Sequence, residues 1–282
     1  MSVTAVEGFV AAGIAAGIKE SGAADLAYVG TVDGEPVAAA GVFTRNQMTA
    51  APVVVCREHL AATGGRSAGV ILNSGNANAA TGAQGLSAAR QMCATTADAL
   101  GVSPESVLVC STGLIGYQLP LDVICTAIPS VVAAASASGG DAAAGAIMTT
   151  DTVPKTTVQS ADGIGTVGGI AKGAAMLEPD MATMLAVLST DIAAEPHALT
   201  DALQRGVANS FNTLTVDGAE STTDTVLLLS SGRRPAAPDA LDDLVAAACR
   251  DLAVQMADDA EGSTKTVFVR VVRAHDDAEA AH

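Results

Sequence analysis

The stretch Lys172-Gly-Ala-Ala-Met-Leu-Glu-Pro-Asp-Met-Ala182-Thr183-Met-Leu185 is rich in small residues and leads into an apolar run at 184–188. That run predicts a strand that begins at Thr183. A threonine hydroxyl is a weak nucleophile, but a free α-amine on the same residue can act as its base. Cleavage of the Ala182–Thr183 bond would create this amine. The stretch therefore indicates either a self-cleaving nucleophile or an ordinary loop-to-strand junction.

Outward from this stretch, short strands alternate with helices. Strands are predicted at residues 25–29, 37–43, 51–56, 70–73, 106–110, 156–160, 166–171, 183–189, 214–216, 225–229 and 266–273, and helices at 86–100, 121–137, 141–147, 197–210 and 239–262. The Asp162-Gly pair between two of the strands is a hairpin signal. Because several neighbouring strands are joined by short turns, the predicted fold is α/β, with mixed, largely antiparallel sheets layered with helices.

Composition excludes several classes of protein. The chain has 282 residues, a net charge of −16, 49% hydrophobic residues and no Trp, so its core must consist mainly of aliphatic side chains. The acidic balance argues against partners such as nucleic acids and anionic membrane surfaces. Because no basic segment followed by an apolar stretch is found at the N-terminus, and no apolar run is long enough to span a membrane, we expect a cytoplasmic protein.

Metal and redox chemistry find little support in the sequence. The five cysteines are widely spaced and form no CxxC pair, and none of the four histidines lies in a motif. This pattern predicts buried free thiols and no metal site.

Further blocks accompany the Lys172–Leu185 stretch in a fixed order. They are Gly41-Val-Phe-Thr-Arg-Asn46, Ala51-Pro-Val53, Ile71-Leu-Asn-Ser-Gly-Asn-Ala-Asn-Ala-Ala-Thr-Gly82, Cys110-Ser-Thr-Gly-Leu-Ile-Gly116, Ile147-Met-Thr-Thr-Asp-Thr-Val-Pro-Lys155, Val216-Asp-Gly218, Ser221-Thr-Thr-Asp-Thr-Val-Leu-Leu-Leu-Ser-Ser-Gly232 and Ala260-Glu-Gly-Ser-Thr-Lys265. In this order they resemble the ornithine acetyltransferase family, the bifunctional glutamate N-acetyltransferases of arginine biosynthesis. The resemblance extends from about residue 8 to residue 272.

The resemblance implies a self-cleaving architecture similar to the aminopeptidase DmpA type. Residues 1–182 would form an alpha chain, and residues 183–282 a beta chain that begins at the nucleophile. Family members continue with a further C-terminal segment that includes Asp-Pro-Asn-Trp-Gly, and this chain contains no Trp. The resemblance therefore also implies a beta chain that lacks the family's C-terminal segment.

Site residues follow from the same resemblance. Thr183 matches the nucleophile, and Thr112 and Gly113 match the oxyanion hole. Thr149, Lys172, Thr183 and Glu261 match substrate-contacting positions, and Thr149 is preferred to its neighbour Thr150. From the residues alone, Thr112 and Gly113 could equally form a turn, Lys172 a solvated charge and Glu261 the end of a helix.

The implied reaction is ping-pong acetyl transfer from N-acetylornithine to glutamate through an acetyl-Thr183 intermediate. It needs no cofactor, although acetyl-CoA is a possible alternative donor. The two processed chains would form a heterodimer and assemble further into a heterotetramer. Two alternatives remain open: a related amidase or aminopeptidase that passes the acyl group to water, and an inactive truncated fragment.

Overall fold

The computed structural model describes residues 2–177, 184–276 and 279–280. The strands in this part of the chain are β1 (Phe9–Ile14), β2 (Leu26–Thr31), β3 (Val37–Phe43), β4 (Arg66–Ser67), β5 (Gly69–Asn76), β6 (Val107–Leu114), β7 (Lys155–Ala161), β8 (Gly165–Lys172), β9 (Leu185–Ile192) and β10 (Thr225–Arg234). The α-helices are α1 (Ala51–Ala62), α2 (Gly82–Leu100), α3 (Leu121–Ala133), α4 (Gly140–Ala146), α5 (Pro196–Ala208) and α6 (Pro238–Asp258).

The strands form two sheets. One has four strands in the order β1-β2-β5-β6, and the other has six in the order β4-β3-β10-β9-β8-β7. Among these neighbours, β5 with β6 and β9 with β10 are parallel, and the other pairs are antiparallel. The prediction of mixed, largely antiparallel sheets with layered helices is therefore confirmed.

The six-stranded sheet is buried on both faces. Helices α5 and α6 contribute to the core on one face, and the other face shares a core with the four-stranded sheet and helices α1 to α4. Side chains along β9 alternate between the two cores, with Leu185 and Val187 in one and Ala186 and Leu188 in the other. Since successive strand residues point to opposite faces, an uninterrupted apolar run suits this strand.

Three local predictions were wrong. Residues 51–56 belong to helix α1, because Pro52 fits the first turn and the buried residues Pro52, Val53, Val55, Cys56 and His59 follow helical spacing. Residues 214–216 lie in the loop before β10, where the Val216 N–H donates to the Leu177 carbonyl. Residues 266–273 form no strand. Strands β1 and β4 were not predicted.

Other predictions agree with the structure. Strands β7 and β8 form the expected hairpin around Asp162. Helix α2 ends at Gly101, whose φ of 76° suits glycine at a helix C-terminus. The five cysteines are free, and all but the partly exposed Cys125 are buried. No helix among the described residues is long and apolar enough to cross a membrane.

Candidate active site

A buried cluster of charges lies where β8 ends and β7 begins. The Asp151 carboxylate accepts from Lys155 Nζ at 2.7 Å and lies 3.8 Å from Lys172 Nζ. Lys155 Nζ also donates to Asp259 Oδ2 at 2.6 Å. All four side chains are at least nine-tenths buried. The cluster therefore joins the loop before β7, the end of β8 and the residue after α6.

Asp151 is the centre of this cluster because its carboxylate also accepts hydrogen bonds from two backbone N–H groups. Its Oδ2 accepts from the Thr149 N–H at 3.0 Å, and its Oδ1 accepts from the Gly173 N–H at 2.7 Å. One carboxylate thus holds the loop that carries Thr149 against the end of the strand that carries Lys172. The structure brings together two of the predicted substrate-contacting residues.

The beginning of β9 lies beside Lys172. Leu185 is opposite Lys172 in the antiparallel pair and opposite Thr225 in the parallel pair. The Met184 N–H donates to Asp224 Oδ1 at 2.7 Å. Ala182 and Thr183, the predicted cleavage site and nucleophile, lie outside the described residues. The two residues that follow them are fixed, Met184 by Asp224 and Leu185 opposite Lys172.

Glu261 reaches the same region through its backbone. The Glu261 N–H donates to the Ala174 carbonyl at 2.6 Å, two residues beyond Lys172. The Glu261 side chain is exposed. Asp259, which is bound by Lys155, anchors this segment from the other side. The predicted set Thr149, Lys172 and Glu261 is therefore gathered at one edge of the six-stranded sheet.

Thr112 and Gly113 lie at the end of β6 in the other sheet. The Thr112 side chain is buried, and its hydroxyl makes no hydrogen bond with the described residues. Gly113 has a φ of +133°, and an added Cβ would lie 2.3 Å from the Gly75 carbonyl carbon. Only glycine fits there without moving the neighbouring strand. The pair lies within a strand and not in the turn that the sequence also allowed.

Lys19 connects the two parts of the site. A Cβ on Gly75, the neighbour of Gly113, would lie 3.2 Å from Lys19 Cγ. Lys19 Nζ donates to the Met148 carbonyl at 2.8 Å, directly before Thr149. Lys19 thus lies between Gly75, the neighbour of the end of β6, and the loop that carries Asp151.

Burial and charge act in opposite directions on this cluster. Burial lowers the pKa of Lys172 below its usual value, although the attraction of Asp151 and Asp224 opposes this shift. Burial alone would raise the pKa of Asp151, but the Lys172 charge and the hydrogen bond from Lys155 outweigh it and lower the pKa. Since perturbed groups concentrate at functional sites, the cluster is a candidate active site.

Comparison with known proteins identifies the family of this chain. The profile of the ArgJ family matches residues 10–282. The chain belongs to the ArgJ family. It is 48% identical to the arginine biosynthesis bifunctional protein ArgJ of Thermosynechococcus vestitus, over 99% of this chain and 68% of the relative. The Mycobacterium tuberculosis protein of the same name is 52% identical, over 98% of this chain and 70% of the relative.

Solved structures similar to this chain include members of the same family. One similar structure is the crystal structure of ornithine acetyltransferase complexed with ornithine, from Mycobacterium tuberculosis. Its sequence is 48% identical to this chain, and the TM-score is 0.60. The match covers 63% of this chain and 94% of that chain. The L-aminopeptidase D-Ala-esterase/amidase of Ochrobactrum anthropi, a variant of the Ntn-hydrolase fold, is 15% identical, with a TM-score of 0.55 over 93% and 88% of the two chains. This second likeness confirms the predicted fold type and nothing more. Membership of the ArgJ family confirms the predicted enzyme class, an acyltransferase of arginine biosynthesis.

The resemblance did not assign roles to Asp151, Lys155 or Asp224. A local signal for the first two was present, because they are opposite charges four residues apart in the Ile147–Lys155 block. Asp224 lies in the Ser221–Gly232 block, to which the resemblance assigned no role. In the described residues, no group of three or more His, Cys, Asp or Glu side chains is arranged to hold a metal ion.

Thr112 provides a direct test of the oxyanion-hole prediction. Valine has nearly the same shape as threonine but no hydroxyl donor. We expect Thr112→Val to slow both chain cleavage and acetyl transfer by about 10²- to 10³-fold, because one donor to the oxyanion is lost. Ser111→Ala is the control, since it removes the neighbouring buried hydroxyl. Equal rates for Thr112→Val and wild type would contradict the assignment.

Proposed function

We propose that this ArgJ-family chain cleaves itself between Ala182 and Thr183 and then transfers acetyl groups from N-acetylornithine to glutamate. The reaction would be ping-pong, with acetyl-Thr183 as the covalent intermediate. The observation that carries the proposal is the register at the start of β9. It places Leu185 opposite the buried Lys172, and Asp224 accepts from the Met184 N–H, so Thr183 is the residue attached to this anchored strand end.

Self-cleavage starts with attack of Thr183 Oγ on the carbonyl carbon of Ala182. The tetrahedral intermediate carries an oxyanion, which the Thr112 hydroxyl and the Gly113 N–H would stabilise. The C–N bond then breaks to give an ester, and water hydrolyses the ester. The free α-amine of Thr183 can afterwards act as the base for its own hydroxyl. The lack of a partner for the Thr112 hydroxyl among the described residues supports its role as a donor.

Acetyl transfer uses the same groups on a small substrate. Thr183 Oγ attacks the acetyl carbonyl of N-acetylornithine, ornithine leaves, and glutamate takes the acetyl group from the enzyme. Lys172 would bind the substrate α-carboxylate, and Glu261 would bind an amino group. Thr149 would contact the substrate from the Asp151 loop. Burial lowers the pKa of Lys172, and the neighbouring Asp151 and Asp224 oppose this shift and so favour the charged form, which is the form that binds a carboxylate.

The products of cleavage would be residues 1–182 and 183–282, held together as a heterodimer and paired into a heterotetramer in the cytoplasm. Two solved relatives match only 63% and 64% of this chain, although 94% and 95% of their own polypeptides take part in the match. A polypeptide of that extent is close in length to residues 1–182, which supports the cleavage position. The chemistry requires no cofactor, and acetyl-CoA stays a possible alternative donor.

Intact mass spectrometry of the purified protein tests the proposal. We expect two polypeptides whose masses correspond to residues 1–182 and 183–282. Addition of N-acetylornithine without glutamate should add one acetyl group, about 42 Da, to the second polypeptide only. Release of acetate without glutamate would instead indicate the amidase alternative. A single uncut chain would contradict the proposed function.

A further inference from the structure

One asparagine side chain holds the loop that follows β6. Asn76, the last residue of β5, is buried. Its Nδ2 donates to the Tyr117 carbonyl at 3.1 Å and to the Gln118 carbonyl at 3.2 Å. Its Oδ1 accepts from the Asn78 N–H at 2.8 Å. Because both amide hydrogens and the amide oxygen are engaged, the side chain is held in one orientation.

The backbone of Asn76 borders the residues of the proposed oxyanion hole. Strands β5 and β6 keep a regular parallel register as far as Gly75 and Gly113. The register then shifts, and Asn76 is opposite both Thr112 and Leu114. A Cβ added to Gly113 would lie 2.6 Å from the Asn76 nitrogen. Irregular strand pairing of this kind redirects side chains and is frequent next to active sites.

Packing contributes little to the position of the loop after β6. Leu114 and Tyr117 are each 64% exposed, and Ile115 is exposed as well. Hydrogen bonds to the end of β5 and the residue after it hold the loop instead. Two come from Asn76, and the Ala77 N–H donates to the Leu114 carbonyl at 2.9 Å. Since a segment with few buried apolar contacts opens easily, loss of the Asn76 amide would loosen the chain directly after Gly113.

We propose that Asn76 is a positioning residue for the oxyanion hole of Thr112 and Gly113. This inference rests on the proposed function. Asn76 acts through these two residues and not on the substrate: it holds the loop after Gly113, and with it the direction of the Thr112 hydroxyl and the Gly113 N–H. Oxyanion donors stabilise the transition state only when they are aimed at the developing charge. A small displacement therefore slows the chemistry without weakening substrate binding.

Asn76→Asp tests this role. Aspartate keeps the shape of asparagine and an oxygen for the Asn78 N–H, but a second oxygen replaces the amide donor. Asn78→Asp is the matched control, because Asn78 is also buried. Its Nδ2 donates to the Gly85 carbonyl in α2 at 2.9 Å, and its Oδ1 accepts from the Thr81 hydroxyl at 2.8 Å. The control thus makes the same chemical change two residues away, at a hydrogen bond that leads to α2.

Single-turnover acetylation by N-acetylornithine, followed by intact mass and expressed per cleaved chain, separates rate from binding. We expect the maximal rate of acetyl-enzyme formation to fall about 10- to 100-fold in Asn76→Asp. The N-acetylornithine concentration that gives half of this rate should stay within about twofold of wild type. Self-cleavage during cell-free synthesis should slow by a similar factor, because it uses the same donors.

Stability is measured on the same proteins by denaturant unfolding. Both aspartate variants should unfold at lower denaturant concentration than wild type, since each leaves a buried carbonyl without its donor. Asn78→Asp should nevertheless keep the acetylation rate within about twofold of wild type. A loss of stability shared by the two variants, with a loss of rate in Asn76→Asp alone, distinguishes positioning from general damage.

A double variant tests whether Asn76 acts through Thr112. Losses of rate multiply when two residues act independently, and they do not when one acts through the other. Asn76→Asp combined with Thr112→Val should therefore be less impaired than the product of the two single losses. Should Asn76→Asp fail to fold, Asn76→Ser takes its place in this cycle, because it removes the amide without adding an acid.

Three results would overturn the inference. They are equal losses of rate in Asn76→Asp and Asn78→Asp, multiplicative losses in the double variant, and a higher half-saturating concentration of N-acetylornithine with an unchanged maximal rate. The last would assign Asn76 to substrate binding. A failure of the proposed function is distinguishable from all three, because the wild-type chain itself would stay uncut or would form no acetyl-enzyme.

Discussion

Thr183→Ala is expected to yield a single uncut polypeptide of 282 residues with no detectable acetyl transfer. The substitution removes the hydroxyl that attacks the Ala182 carbonyl and that later carries the acetyl group. Without this nucleophile neither covalent step has a starting atom, so we expect a loss of more than 10³-fold. Intact mass spectrometry and an assay of acetylglutamate formation check the two effects separately.

Thr126→Ala is a suitable control for this substitution, because Thr126 lies on the exposed face of α3 and bonds only to the carbonyl of Asp122. Thr183→Ser adds a second comparison, since it keeps a hydroxyl and should retain cleavage at a changed rate. If Thr183→Ala is still cut between positions 182 and 183, the nucleophile has been assigned to the wrong residue.

Lys155→Met is expected to lower the free energy of unfolding by about 3–5 kcal/mol, because it leaves two buried carboxylates without their shared ammonium. Lys155 is completely buried and donates to Asp151 and Asp259 at 2.7 and 2.6 Å. Asp151 in turn fixes Thr149 and Lys172, so activity should fall with stability. Denaturant unfolding followed by circular dichroism measures the change.

The Arg90–Glu58 pair is the matched control. It is equally close, at 2.9 Å, but both side chains are about half exposed. Arg90→Met should change the free energy of unfolding by about 1 kcal/mol or less. A similarly small effect for Lys155→Met would show that the buried cluster contributes little to stability.

The contact between Lys155 and Asp259 predicts that the stability of the protein depends on pH. Burial would raise the pKa of Asp259, but hydrogen bonds from Lys155 and Thr152 outweigh it and hold the pKa at about 2. A carboxyl whose pKa is depressed by folding stabilises the protein above its unfolded value of about 3.9. That stabilisation is lost as pH falls from about 4 towards 2. In Lys155→Met, this part of the acid sensitivity should be smaller than in wild type.

Local patterns predicted most elements of the chain correctly, because each reflects a nearby physical constraint. The apolar run at 184–188 predicted a strand, and β9 is that strand, with side chains that contribute alternately to two cores. The Asp162-Gly pair predicted the hairpin of β7 and β8. In both cases a short segment contains all the information that its conformation needs.

Where a segment depends on a distant partner, local patterns led to errors. Residues 266–273 alternate like a strand, but a strand requires a neighbour for its backbone hydrogen bonds. In the described part of the chain these residues pair with no other strand, and Val267, Phe268 and Val269 are 75%, 78% and 83% exposed. The consecutive valines of residues 51–56 suggested a strand, whereas burial along one helix face made them part of α1.

By itself the sequence determined the family, the fold class and the identity of the predicted nucleophile, because ordered motifs and hydrophobic periodicity are properties of the chain. Only the tertiary structure placed Asp151, Lys155 and Asp224 around Lys172 and the beginning of β9. These residues come from separate loops and strands, and their contacts depend on strand register and packing. A buried carboxylate oxygen that lacks a hydrogen-bond partner among the described residues, such as Oδ2 of Asp224, becomes visible only when its surroundings are known, because burial is a property of the folded protein.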